Sequence, residues 1–67
     1  MDIKTQLIEE LAIELAVTLE LWEDEPGAWM PESLELLDKA VAHLTQAGRD
    51  IPEPVLYIQR RRLDRAA

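Results

Sequence analysis

The chain has 67 residues, no cysteine, one histidine and a formal net charge of −7. A chain of this length forms at most one domain and buries only a small apolar core. Disulfides are excluded and a metal site is disfavoured, so oligomerisation or a partner remains as a source of extra stability. We therefore expect a single small domain, residues 1–67, that associates with another chain.

Charge is distributed unevenly along the sequence. Residues 1–38 hold 11 acidic side chains and one basic side chain, whereas residues 39–67 hold six basic and three acidic ones. Such an acidic protein is a poor candidate for direct nucleic-acid binding. Early acidic residues interrupt any basic-then-apolar leader, and no apolar run is long enough to cross a bilayer. The sequence therefore predicts a cytoplasmic protein without membrane contact.

The first predicted element is a helix over about residues 2–23. The segment lacks glycine and proline and is rich in strong helix formers, and Asp2 suits the N-cap position. We expect the helix to end before Pro26 and Gly27. Its apolar residues form two lines on roughly opposite sides. The line expected in the core comprises Ile8, Leu11, Leu15, Leu19 and Trp22, and the second line comprises Ile3, Ile13, Val17 and Leu21.

The second apolar line carries the main expectation about assembly. A helix with two apolar faces must be covered on both, and a small subunit has surface enough for only one. We therefore predict a homodimer in which Ile13, Val17 and Leu21 meet their own copies across a twofold axis. Trp22 and Trp29 are expected to cap the end of the helices. The alternative is that they anchor a partner, because tryptophan is favoured in binding hot spots.

Two further helices are predicted, over about residues 31–47 and 54–65. Pro31 suits the first position of the second helix, and Gly48 suits its C-terminal stop. The apolar seam of this helix comprises Leu34, Leu37, Val41 and Leu44. A short connection predicts that helices 1 and 2 pack as an antiparallel hairpin. Residues 55–58 also have β propensity, but no other segment resembles a partner strand, so we favour a short third helix.

Charged side chains suggest how the ends of the chain meet. Glu10 and Glu14 lie on one side of helix 1, where they are either solvated or paired with cations from the fold or from a partner. A basic cluster near the C-terminus is expected to contact that acidic side, in the same or a neighbouring subunit, with a solvated tail as the alternative. The cluster comprises Arg60, Arg61, Arg62 and Arg65.

Residues with catalytic or metal-binding chemistry are sparse. No cysteine nucleophile exists, Ser33 stands at a helix start where capping explains it, and the two glycines are too far apart for a phosphate-binding loop. His43 has no second histidine or cysteine with which to share a metal, so we expect a partly covered boundary residue. The sequence predicts no enzyme, no catalytic residue, no cofactor and no metal.

The predicted fold is all-α: an antiparallel helical hairpin with a short third C-terminal helix, completed to a bundle by dimerisation. The predicted function is a small acidic protein–protein interaction module that self-associates and acts as an adaptor, inhibitor or co-chaperone of a larger protein.

Two alternatives share the acidic composition. One is a nucleic-acid mimic that inhibits a DNA- or RNA-handling protein, but mimicry needs regularly arrayed carboxylates, and here they are interleaved with apolar residues. The other is an antitoxin-like partner of a basic toxin, although antitoxins usually bring a DNA-binding region, which the sequence does not reveal.

Overall fold

The computed structural model describes residues 2–25 and 29–66, and three α-helices make up most of these ranges. The helices are α1, Ile3–Leu21, α2, Pro31–Gln46, and α3, Glu53–Ala66. No strand occurs in the two described ranges. The all-α class is therefore confirmed, and the β-rich residues 55–58 belong to the third helix, as favoured.

The bounds of α1 lie close to those predicted. The carboxylate of Asp2 accepts a hydrogen bond from the backbone N–H of Lys4 at 3.1 Å, which makes Asp2 the N-cap. The helix ends at Leu21. Pro26 and Gly27, which were expected to keep the helix from continuing, lie outside the described residues.

Local signals also define both ends of α2. The helix begins at Pro31, where the fixed φ of proline suits the first position. After its last turn, Gly48 adopts a φ of 74°, in the left-handed region that favours glycine. The N–H of Gly48 donates to the carbonyl of Thr45 at 3.1 Å, and the N–H of Arg49 donates to the carbonyl of Leu44 at 2.9 Å. These two bonds form a Schellman C-cap.

The core lies along one side of α1, which packs against both α2 and α3. Its central positions on α1 are Ala12 and Ala16. Because alanine side chains are small, α2 and α3 can both pack closely against this part of α1. The buried core cluster comprises Ala12, Ala16 and Leu19 of α1, Leu37 of α2, and Val55 and Ile58 of α3.

The buried side of α1 differs from the predicted line at two positions. Leu19 is buried as expected, but Leu11 is 62% exposed and Trp22 is 55% exposed. Ala12 and Ala16 lie at the centre of the buried side of α1. The predicted apolar line lies next to this centre and does not coincide with it. Leu11 and Trp22 therefore lie at the edge of the packed region rather than inside it.

The apolar seam of α2 packs as predicted. Leu37 and Leu44 are buried, and Leu34 and Val41 are half-buried against the core. Ile51, in the proline-containing turn after α2, also packs against the core. Across the described residues, no helix combines the length and the apolar content needed to span a membrane.

Candidate protein-binding surface

Exposed large apolar side chains are concentrated on α1. At 3.6 residues per turn, most of their positions fall on the side of the helix that faces away from Ala12 and Ala16, and Leu11 and Trp22 lie at the edge of the packed side. A concentration of exposed apolar side chains is typical of an interaction surface. The residues are Ile3, Leu7, Leu11, Val17 and Leu21 of the helix, followed directly by Trp22.

A groove of about 430 Å³ lies between α1 and α2, and its lining residues all come from these two helices. The lining comprises Ile8, Leu11, Ala12 and Leu15 of α1 with Leu36, Lys39 and Ala40 of α2. Leu36 is 59% exposed, so both helices present an exposed leucine to the groove. A smaller hollow of about 240 Å³ shares Leu15 with the groove and reaches Trp22 and Ser33. The apolar depression therefore follows α1 from Ile8 to Trp22.

Two exposed leucines, of which only Leu36 lines the groove, receive no binding role from the sequence. The sequence pattern places Leu36 on the buried side of α2 and Leu7 in neither apolar line of α1. The four-residue spacing of Leu7 and Leu11 was the available signal, because it places them on one side of the helix. Their exposure depends on where α2 packs, which the sequence alone does not fix.

The three residues predicted to form the twofold interface differ in exposure. Val17 is 41% exposed and Leu21 is 78% exposed, whereas Ile13 is half-buried. Val17 and Leu21 therefore remain accessible to a second chain, while Ile13 is partly covered within the subunit.

The two tryptophans occupy different environments. Trp29 is half-buried against the core, and its indole Nε1 donates a hydrogen bond to the carbonyl oxygen of Leu19 at 2.8 Å. The guanidinium carbon of Arg65 lies 4.2 Å from the centroid of the Trp29 ring, which is cation–π geometry. Trp29 thus covers one end of the core, whereas Trp22 stands exposed at the end of the groove.

Most of the basic cluster pairs within the chain. Arg61 forms an ion pair with the carboxylate of Glu23, and Arg62 Nη1 lies 2.6 Å from Oδ1 of Asp38. Arg65 donates a hydrogen bond to the backbone carbonyl of Glu23 at 2.6 Å. Glu23 follows the C-terminus of α1, where the helix dipole disfavours negative charge. Arg61 and Arg65 therefore compensate for the unfavourable position of its carboxylate.

The structure does not bring the basic cluster to Glu10 or Glu14. Both glutamates are exposed, and no ion pair formed within the described residues includes either of them. Arg60 is likewise exposed and takes part in none of these ion pairs. Glu10 and Glu14 therefore stay accessible to a cationic partner.

The carboxylate of Glu23 is the most strongly hydrogen-bonded acidic group at the end of the core. The hydroxyl of Tyr57 donates to its Oε1 at 2.7 Å, and Arg61 contacts its Oε2. Both bonds hold the pKa of Glu23 below its ordinary value, and the bond from Tyr57 has the larger effect. Conversely, the hydrogen bond to Glu23 raises the pKa of Tyr57.

A second polar cluster joins the start of α1 to the end of α2. The hydroxyl of the buried Thr5 donates to the carboxylate of Asp2, and Oγ1 of Thr5 lies 3.0 Å from Nε2 of His43. Since the single hydroxyl proton goes to Asp2, His43 Nε2–H is the donor to Thr5. The hydrogen bond from the Thr5 hydroxyl is the main reason that the pKa of Asp2 is lowered.

The chemistry available to this surface is association through apolar contact and charge. Within the described part of the chain, no three acidic or histidine side chains come together in a way that could hold a metal ion. No protein-family model, curated protein or solved structure matches the chain.

Proposed function

We propose that this chain is a small protein–protein interaction module that self-associates through α1 and acts on a larger protein as an adaptor, inhibitor or co-chaperone. The observation that carries the proposal is the exposed apolar side of α1, opposite the side that forms the core. Each Å² of apolar surface removed from water contributes about 25 cal/mol, so burial of this side against a second chain is favourable.

The proposed subunit is an antiparallel helical hairpin with a short third helix, completed to a bundle in the dimer. Two contacts support the hairpin. Thr5 at the start of α1 lies beside His43 near the end of α2, and Leu19 near the end of α1 bonds to Trp29, just before α2 begins. Such a hairpin leaves one side of α1 open to a second copy.

A symmetric pairing of two α1 helices accounts for the exposed residues together. If the helices run antiparallel with the twofold axis at the level of Ala12, Ile3 of one copy lies beside Leu21 of the other. The same axis sets Val17 beside Leu7 of the other copy. Each of these exposed residues then gains an apolar neighbour, as a self-complementary interface requires.

Size-exclusion chromatography with light scattering tests this proposal on matched charge substitutions. Leu21→Glu places a carboxylate in the proposed interface, and we expect the dimer of the wild-type chain to become a monomer. Leu63→Glu is the control, because Leu63 of α3 is also highly exposed, at 74% against 78%, but lies outside the interface. The control should remain a dimer. Equal masses for Leu21→Glu and the wild type would contradict self-association through α1.

A further inference from the structure

We infer that the larger protein presents an amphipathic helix with basic residues at its centre and apolar residues towards both ends, and that this helix binds the exposed side of α1 in place of the second copy. The inference rests on the proposed function, since it concerns the same side of α1 and states the chemistry of the larger protein that binds there. It follows from the position of two glutamates among the exposed apolar side chains.

Glu10 and Glu14 lie at the centre of the exposed side of α1. They follow Ile3 by 7 and 11 residues, and Leu21 follows Ile3 by 18, spacings close to two, three and five turns of 3.6 residues. These four residues therefore lie along one line of the helix surface, and all four are exposed. Two carboxylates thus stand midway along this line, with an apolar side chain at each end.

Each end of the exposed side is an apolar pair. Ile3 and Leu7 lie four residues apart at the start of α1, and Val17 and Leu21 lie four residues apart at its end, so the members of each pair are neighbours on the helix surface. From Ile3 to Leu21, the 1.5 Å rise per residue gives roughly 27 Å. A helix of similar length that lies along this side can contact both pairs with its own apolar residues.

The charge at the centre of this side indicates the chemistry of the occupant. Within the described residues, neither Glu10 nor Glu14 takes part in an ion pair. In the twofold pairing, Glu10 of one copy meets Glu14 of the other, so like charges face one another. A helix with lysine or arginine at its centre replaces this repulsion by attraction and keeps the apolar contacts at both ends.

A second copy offers few cations with which to neutralise the two glutamates. Lys4, the single basic residue of α1, directly follows Ile3 and therefore lies about 100° away around the helix. Arg49, Arg61 and Arg62 pair with carboxylates of their own chain. Charge complementarity therefore favours a basic-centred helix of another protein over a second copy on this side of α1.

Fluorescence anisotropy with three synthetic helical peptides tests the inference. The probe is a labelled peptide of about 20 residues, with leucine pairs towards both ends of one side and two lysines between them. The first control has the same composition, but its lysines lie on the opposite side of the helix. The second control carries glutamate in place of the two lysines. We expect the probe to bind with micromolar affinity and each control about tenfold more weakly or worse.

The first control separates local recognition from general attraction to an acidic protein, because its net charge equals that of the probe. Equal affinity of the chain for these two peptides would show that the position of the lysines does not matter. That result overturns the inference.

Charge substitutions on α1 should have opposite effects on the two associations. Glu10→Gln combined with Glu14→Gln should weaken probe binding about tenfold, because the lysines lose both partners, and should tighten the dimer. Glu32→Gln combined with Glu53→Gln is the matched control, since it removes the same charge from exposed residues of α2 and α3. The control should change the probe affinity by less than about twofold. Probe binding that is equal in the α1 variant and the wild type overturns the inference.

Leucine substitutions locate the apolar contacts. Leu7→Gln should weaken the probe about tenfold, whereas Leu63→Gln on α3 should leave it unchanged, because both leucines are exposed but only Leu7 lies on α1. Leu36→Gln, in the groove between α1 and α2, should also leave it unchanged. Loss of binding in Leu36→Gln with normal binding by Leu7→Gln would place the probe in the groove and overturn the inference.

Light scattering with added probe separates this inference from the proposed function. The inference predicts that the mass falls from that of the dimer to that of one chain with one peptide. A dimer that binds no probe, or that binds it without dissociating, overturns the inference and leaves self-association standing. A wild-type chain that is monomeric but binds the probe with the expected selectivity contradicts self-association and supports the binding of a basic-centred helix to α1.

Discussion

The hydroxyl of Tyr57 donates a hydrogen bond to Oε1 of Glu23 at 2.7 Å, joining α3 to the segment that follows α1. The two residues are far apart in sequence, and their contact helps to fix where α3 lies against α1. Arg61 from the next turn of α3 contacts the second oxygen of the same carboxylate. One glutamate therefore holds two side chains of the third helix.

Glu23→Gln should lower the melting temperature at neutral pH and should have little effect in strong acid. The pKa of Glu23 is lowered in the folded chain, so the folded state favours the charged carboxylate. Its stabilising contribution is fully present above the unfolded pKa of about 4.3 and is lost as the pH falls through the lower folded pKa. Melting curves of both proteins across this pH range should converge at the acid end. Parallel curves would contradict the role assigned to the carboxylate.

Titration of the single tyrosine gives an independent readout of the same contact. Because Glu23 raises the pKa of Tyr57, the phenolate absorbance of the folded protein should reach its midpoint above the ordinary value of about 10. In Glu23→Gln the midpoint should move down towards that value. Guanidinium-unfolded wild-type protein serves as the reference. A midpoint that is the same in the wild type and the variant would show that the two side chains are not joined in solution.

Ile58→Ala should cost about 2–5 kcal/mol of unfolding free energy, because it removes a fully buried side chain from the core. Leu63→Ala on the same helix is the matched control, and its cost should stay within about 0.5 kcal/mol because Leu63 is exposed. Urea unfolding followed by tryptophan fluorescence measures both. If the two variants lose similar free energy, α3 does not pack against α1 through Ile58.

The helices were predictable because the signals that set them are local. Asp2, Pro31 and Gly48 each act on the backbone within a few residues, and the seam of α2 follows from the spacing of its leucines. The buried side of α1 was less accessible to sequence reasoning. Ala12 and Ala16 add little to any hydrophobic pattern, yet their small size lets two helices pack against α1 at this level.

For the polar contacts of α3, the sequence predicts the type of interaction but not the partner residues. An association of the C-terminal arginines with acidic residues follows from charge alone, but the choice of Glu23 and Asp38 depends on how α3 lies across the other helices. The groove depends in the same way on the relative placement of α1 and α2. Glu10 and Glu14 stay predicted partner contacts, because nothing within the described chain pairs with them.

Gly48→Ala should lower the stability by about 1–2 kcal/mol, because the residue adopts a left-handed backbone conformation that a Cβ disfavours. A Cβ at this position would meet no neighbouring atom within 4 Å, so the cost should come from the backbone alone. Gly48→Asn should lose less, since asparagine tolerates this conformation. Thermal unfolding of the two variants gives the comparison. An alanine variant as stable as the wild type would contradict the left-handed C-cap.

Salt should strengthen the proposed self-association through α1. The twofold pairing of α1 brings Glu10 of one copy towards Glu14 of the other, so screening by salt should strengthen self-association. Dissociation constants of the dimer, measured over a series of salt concentrations, test this prediction. Self-association that weakens with salt would be inconsistent with this pairing.

Sedimentation equilibrium of the wild-type chain across the micromolar range tests most directly whether the exposed side of α1 is buried by a second copy. The account predicts a reversible monomer–dimer equilibrium, with helix content and thermal stability that rise as the dimer forms, and the loss of the dimer in Leu21→Glu. A chain that stays monomeric and fully folded throughout this range, with a melting temperature independent of concentration, would contradict it.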